Sequence, residues 1–171
     1  MQVNWNAMKL GGLVVLTAAM FGFSEIRNQR RQIEQSEINF LGDNDLYLTE
    51  ASVNKLLIQN YGPVKNRPKE EVVLNTIEQV IQSNDMVKKA QVYLTIDGRL
   101  VSNIVQRKPI GRIESASKFY LDDEGKRMPL SEHHSARVPI ITGAVTGKSL
   151  EDAYVILEYI NNDEFLRKNV I

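Results

Sequence analysis

Residues 87–109 constrain the fold more than any other part of the chain, because two strands, a tight turn and a proline stop follow one another without a break. Val87, Ala90, Val92, Leu94 and Ile96 carry the apolar content of the first strand, and alternation is strict from Ala90 onward. A period of two sends one set of side chains to one face of a sheet. Asp97-Gly98 is the dipeptide that tolerates the positive φ angles of a two-residue hairpin turn. Leu100, Ser102, Ile104 and Gln106 then alternate with Val101, Asn103, Val105 and Arg107, a less one-sided pattern. Pro109 has no backbone donor and holds Lys108 extended, which ends ladder pairing there. A lone hairpin is marginal in water, so other segments must cover its apolar face.

The preceding residues supply the cover. Residues 36–40 read as a strand with Ile38 and Phe40 on one face, followed by the turn cluster Gly42-Asp43-Asn44-Asp45. Thr49 is placed to cap a helix over 50–60, with Val53, Leu56, Leu57 and Asn60 at helical spacing and Tyr61-Gly62-Pro63 as its stop. Asn75 with Glu78 forms a capping-box pattern for a second helix reaching Ser83, whose inward face is Ile77, Val80 and Ile81. The order strand, helix, helix, strand, strand puts two helices on one face of a three-stranded sheet.

A second unit begins after Pro109. Residues 110–113 and 118–121 read as short strands, Asp122-Asp123-Glu124-Gly125 as a turn, 138–142 as a strand and 143–147 as a loop. Ser149 with Asp152 is placed to cap a helix with Ala153, Ile156, Leu157 and Ile160 on its apolar face. Residues 163–171 end on Val170-Ile171, which point toward a further strand, so this unit reads as truncated. The fold class expected is α+β.

Before both units lies an uncharged run, 10–23, LGGLVVLTAAMFGF. A bilayer span takes about 20 apolar residues, so this one is short unless Lys9 extends its stem to the headgroups. Trp5 stands where an interfacial aromatic belongs, and Arg27, Arg30 and Arg31 bound the run on its other side. A membrane anchor through Leu10, Val14, Val15, Leu16, Met20, Phe21 and Phe23 is the reading adopted. A cleaved signal peptide and a buried soluble helix are the alternatives; the small residues Thr17-Ala18-Ala19 fall inside the run rather than after it. Residues 24–35 are polar and rich in helix formers, and are expected to form a helical stalk. Counting Lys and Arg alone puts the arginines on the cytoplasmic side, against the topology adopted below.

Composition excludes several kinds of chemistry. With 21 basic and 21 acidic residues the formal charge is zero, so no overall field draws nucleic acid, and none is expected as a partner. The chain has no cysteine, which removes disulfides, thiolate zinc sites and cysteine nucleophiles together. Its two histidines, His133 and His134, are adjacent, and neighbouring side chains in an extended segment point to opposite faces, a poor start for chelation. Ser131 and Ser135 flank them without a G-x-S-x-G elbow. In Gly143-Ala144-Val145-Thr146-Gly147-Lys148-Ser149 three residues separate the glycines where a phosphate loop needs four. No catalytic residue, cofactor, metal or small-molecule substrate is expected. Arg107 and Lys108 at a strand end read first as a solvated edge that discourages sheet pairing.

Several short motifs occur in a telling order: Lys89-Ala90-Gln91-Val92, Asp97-Gly98-Arg99-Leu100, Gln106-Arg107-Lys108-Pro109-Ile110, Tyr120-Leu121-Asp122, Gly125 and Met128-Pro129-Leu130. In this order, and behind an apolar helix, they resemble the FtsQ/DivIB family of bacterial cell-division proteins. The segments 46–59 and 136–143 look most like its Bacteroidetes branch. The resemblance implies a cytoplasmic tail (1–9), one transmembrane helix (10–23), the stalk (24–35), a POTRA domain (36–108) and a partial β domain (109–171) outside the inner membrane. It further implies a non-enzymatic role in the divisome, at the septum, binding coiled-coil partners of the FtsB and FtsL type. In the family that contact uses C-terminal strands that add a partner strand to a sheet edge, and those strands would lie after Ile171. Within the chain a partner contact is expected at Arg107, Lys108, Pro109 and Ile110, while Asp97, Gly98, Tyr120, Asp122 and Gly125 are expected to be structural. A POTRA-containing factor for outer-membrane protein assembly or translocation and an exported hydrolase are the rival readings.

Overall fold

The computed structural model describes residues 5–29, 32–42, 47–145 and 147–170. The turn residues 43–45, Arg30, Arg31, Thr146 and Ile171 lie outside the described residues.

A single helix, α1, runs from Trp5 to Gln29, 25 residues without interruption. Its apolar window, Met8–Ile26, is 19 residues long and entirely exposed. At 1.5 Å per residue that window is about 28 Å long, close to the ~30 Å hydrocarbon thickness. The span expected over 10–23 was short because charge was used as its boundary; the helix continues through Lys9 and Glu25. Residues 5–9 are helical and run directly into the apolar window, and the expected stalk is corrected at its far end. There Gln32 bridges to Pro68, Ile33 is fully buried, and β1 already begins at Gln35.

The next unit has the anticipated order: β1 (Gln35–Phe40), α2 (Glu50–Asn60), α3 (Leu74–Gln82), β2 (Val87–Leu94) and β3 (Arg99–Gln106). The sheet order is β1-β3-β2, with β1 parallel and β2 antiparallel to β3. Val53 and Leu57 of α2, with Ile77 and Ile81 of α3, pack onto Ile38, Ala90, Val92, Leu100 and Ile104 of the sheet. The central position of β3 explains its weak one-sidedness, since Leu100, Val101 and Ser102 are all buried in succession. Alternation in β2 starts only at Ala90 because the register slips between Val87 and Lys89. A bulge inserts one residue, so Val87 and Ala90 reach the same core despite odd spacing.

Capping follows the sequence at one helix and departs from it at two. Thr49 and Ser52 form a reciprocal capping box on α2. The expected box on α3 does not form: Val73 is the N-cap, and Glu78 instead accepts the Val92 amide at 3.1 Å. The hairpin turn also differs. The Thr95 carbonyl accepts the Gly98 amide, and Thr95 pairs with Arg99 around a three-residue loop in which Gly98 alone has positive φ. Ile96 consequently leaves the core pattern and sits at the tip, 89% exposed.

The second unit is a four-stranded sheet of order β6-β5-β4-β7, formed by β4 (Pro109–Glu114), β5 (Lys118–Asp122), β6 (Arg127–Met128) and β7 (Ile140–Thr142). Pro109 is the first residue of β4, where no ladder donor is needed. Ala153 and Leu157 of α4 (Lys148–Asn162) pack with Ile110, Ile113, Phe119 and Leu121. Gly111 permits this contact, because a Cβ there would lie 2.3 Å from Leu157 Cδ1. Ser149 is not the cap of α4, which starts one residue earlier behind Gly147; Ile156, expected on the apolar face, is 57% exposed. Between Asp163 and Val170 a short helix forms, α5 (Glu164–Asn169), capped by the Asp163 side chain on the Leu166 amide.

Candidate functional site

The two units meet where β3 leaves its sheet, at the residues expected to bind a partner. Gln106, 5% exposed, accepts the Tyr47 and Leu48 amides through Oε1 at 3.1 and 3.0 Å, which ties the segment before α2 to the end of β3. Arg107 comes next, its amide donating to the Met86 carbonyl. Its guanidinium Nη1 then reaches Asp122 Oδ2 at 2.6 Å and Glu124 Oε2 at 3.4 Å. Asp122 is fully buried, and its other oxygen accepts the Glu124 and Lys126 amides at 2.9 and 2.7 Å. Three charge-assisted hydrogen bonds satisfy one carboxylate taken out of water.

Lys88 reinforces the joint from the neighbouring strand. Standing at the bulge of β2, it bonds both oxygens of Asp123 at 3.1 Å and lies 3.4 Å from Glu124. A bulge re-aims a side chain in this way. The bond to Asp123 raises the Lys88 pKa against the opposing effect of burial. Glu124 is lowered, chiefly by Lys126 and also by Lys88. The Asp123 amide meanwhile donates to the Lys108 carbonyl.

An aromatic cluster closes the other side. Tyr47, Tyr120 and Met128 are buried together, with Met86, Leu130, Ala136 and Val138 against them. The rings of Tyr47 and Tyr120 meet edge to face at 6.5 Å, and His134 meets Tyr47 at 5.3 Å. Ser131 Oγ donates to the Tyr47 carbonyl, and Tyr120 Oη accepts the Ala136 amide. Burial, followed by the nearby Tyr120, raises the Tyr47 pKa. Tyr47, whose position before α2 carried no sequence signal of its own, therefore joins Tyr120, Asp122 and Gly125, for which only a local role was expected.

Of the four residues expected to contact a partner, only Lys108 is exposed; Arg107 is largely covered, and Pro109 and Ile110 are buried. This corrects the picture of a solvated strand edge, since the guanidinium is consumed by Asp122. Lys108, Pro109 and Ile110 nonetheless line a cavity of about 200 Å³. Arg137 and Arg167 join Lys108 around it, and among the described residues no carboxylate side chain lines it. Asp97 and Gly98 form the hairpin loop, far along the sheet from this joint. Asp97 is lowered by the Thr95 hydroxyl and by Arg99, whose Nε lies 2.7 Å away. Gly125, at φ 72°, lies against the Tyr154 ring.

The sheet edges differ in availability. The outward Ala90 carbonyl and Val92 amide of β2 are taken by Gln82 and Glu78 of α3, so that edge is partly blocked to a further strand. Among the described residues no three or more acidic or histidine side chains gather as a metal site.

The geometry defines a class: a β-α-α-β-β unit behind a long apolar helix, locked through a buried ion pair and an aromatic cluster to a second sheet. Comparison with protein families agrees with that division, a POTRA-like domain matching residues 31–105 and the FtsQ/DivIB, C-terminal related, family matching 108–171. No curated protein matches the chain. Together the two matches support an FtsQ/DivIB family protein, a family of bacterial cell division, and the N-terminal helix is compatible with a single transmembrane span.

Proposed function

We propose that this protein is a non-enzymatic, single-pass scaffold of the divisome, with its N-terminus in the cytoplasm and its two folded units in the periplasm at the septum. The observation that carries the reading is the joint between Arg107 and Asp122. It links a POTRA-like domain to an FtsQ/DivIB-related unit through a buried ion pair, as suits a protein that holds partners at a set distance from the membrane. Leu10, Val14, Val15, Leu16, Met20, Phe21 and Phe23 face lipid, and all seven are exposed along α1. The boundaries proposed are a span over Met8–Ile26, a POTRA domain from about Gln32 to Arg107 and a β unit from Lys108 onward.

The partners proposed are coiled-coil proteins of the FtsB and FtsL type. Lys108, Arg137 and Arg167 around an apolar floor of Pro109 and Ile110 suit an acidic, partly apolar partner segment. A POTRA domain alone would equally suit outer-membrane assembly, and the FtsQ/DivIB-related unit is what favours division. A periplasm-active reporter placed after Leu130 is expected to be active, and the full chain is expected to co-purify with such partners. A silent reporter, with a cytoplasm-active one working at the same site, would overturn the topology and the scaffold reading with it.

A further inference from the structure

The POTRA-like unit is entered at one end and left at the other. β1 and β3 run parallel with Gln35 opposite Arg99, so the chain arriving from α1 and the turn between β2 and β3 lie at the same end of the sheet. The contacts there are direct. The Glu34 amide donates to the Gly98 carbonyl, Ile33 exchanges backbone bonds with Asn66 and Arg67, and Lys69 Nζ lies 3.3 Å from the Ile96 carbonyl. Gln106 and Arg107, which lead to the second unit, are at the opposite end.

Covalent length sets how far this end stands from the apolar helix. From Ile26 to Gln32 the chain has three helical steps and three that are at most extended, so the reach is about 15 Å. At the very tip is Ile96, 89% exposed, the most exposed large apolar side chain among the described residues. Lys69 reaches the Ile96 carbonyl at this end and is followed in the chain by Glu70 and Glu71, Arg67 lies over the Tyr61 ring, and Arg99 pairs with Asp97 and Glu37. An apolar side chain beside cations, on a short tether from a membrane span, matches the headgroup boundary of a bilayer.

We propose that the β2–β3 hairpin tip, Ile96 with Lys69 beside it, rests on the lipid surface from which α1 emerges, fixing the tilt of the folded units over the membrane. The inference depends on α1 spanning the bilayer, and the native Trp5, the one tryptophan in the chain, tests that separately. The full chain is reconstituted into phosphatidylethanolamine and phosphatidylglycerol vesicles with and without acyl-brominated lipid, which quenches tryptophan on contact. Three proteins are compared: the natural chain, Ile96→Trp in a Trp5→Phe background, and Ile140→Trp in the same background as a control on the distant sheet. Quenching of Trp5 and of the tryptophan at 96, with the control unaffected, is the expected result. Quenching of Trp5 without quenching at 96 overturns the hairpin contact and leaves the span intact. Quenching at 140 as strongly as at 96 also overturns it, since the whole protein would then lie on the lipid. Absence of quenching at Trp5 overturns the span, and the hairpin contact falls with it.

Discussion

Arg107 Nη1 lies 2.6 Å from Asp122 Oδ2, joining the last turn of one sheet to the last residue of a strand in the other across 15 positions of sequence. The carboxylate is completely buried while the arginine side chain is 14% exposed, so the two partners are unequal. Asp122 depends on the pair and on two backbone amides, whereas Arg107 has water within reach.

Removing Asp122 and removing Arg107 should therefore differ in cost. Arg107→Ala leaves a fully buried carboxylate without its cation, with an expected loss of about 3–5 kcal/mol. Asp122→Ala frees the Glu124 and Lys126 amides but leaves Arg107 with Glu124 and water, and should cost less, about 1–3 kcal/mol. Urea unfolding of the full chain in detergent measures both. Equal and small losses would mean that the joint is held by the Tyr47 cluster alone.

The joint should loosen in alkali. Tyr47 and Lys88 both have folded pKa values raised above their ordinary 10.0 and 10.5. A raised value means the native state holds the proton more tightly, so the contribution is complete below pH 10.0 and is lost as pH rises through the folded value. Glu124 is lowered from 4.5, so its contribution is present above that pH and lost as pH falls through its folded value. Melting temperature against pH is expected to fall on both sides of this window. In Lys88→Met the alkaline fall should be shallower.

Gly111 is a packing requirement. Any side chain there would drive into Leu157, whose Cδ1, Cδ2 and Cγ all lie within 3 Å of the added Cβ, and Leu157 is only 1% exposed. Gly111→Val should destabilise the second unit by about 1–3 kcal/mol, as overpacking of a filled core does. Pairing it with Leu157→Ala should recover part of the loss; an additive double variant would show that the clash is elsewhere.

Gly98 is a backbone requirement. It sits at φ 92°, and a Cβ would come within 3.2 Å of the Gln32 carbonyl. Gly98→Ala should cost about 1–2 kcal/mol from the left-handed conformation. Gly98→Asn should cost less, since asparagine tolerates that region better. Thermal unfolding ranks the two.

Much of the fold was legible because it depends on local chemistry. Alternation in β2, helical spacing in α2 and α3, the Thr49 cap and the starting role of Pro109 are written within a few residues of where they act. The capping patterns at Asn75 and Ser149 misled for the same reason: a short motif does not know that Glu78 will face the free edge of β2, or that Gly147 will be the N-cap of α4, two residues sooner. Helix α5 was legible but not read: Asp163 caps the Leu166 amide and Glu164 pairs with Lys168 one turn later.

Determined by sequence alone were the α+β class, the apolar N-terminal helix, the two-unit order and the family, each resting on periodicity or on motifs read in order. Only the tertiary structure decided what Arg107 does. An arginine after a strand looks like a solvated edge until the turn at Asp122 is folded against it, and the carboxylate is satisfied only once Arg107 arrives from the other sheet. Long-range desolvation has no local signature, so the joint between the two units became visible only once the chain was folded.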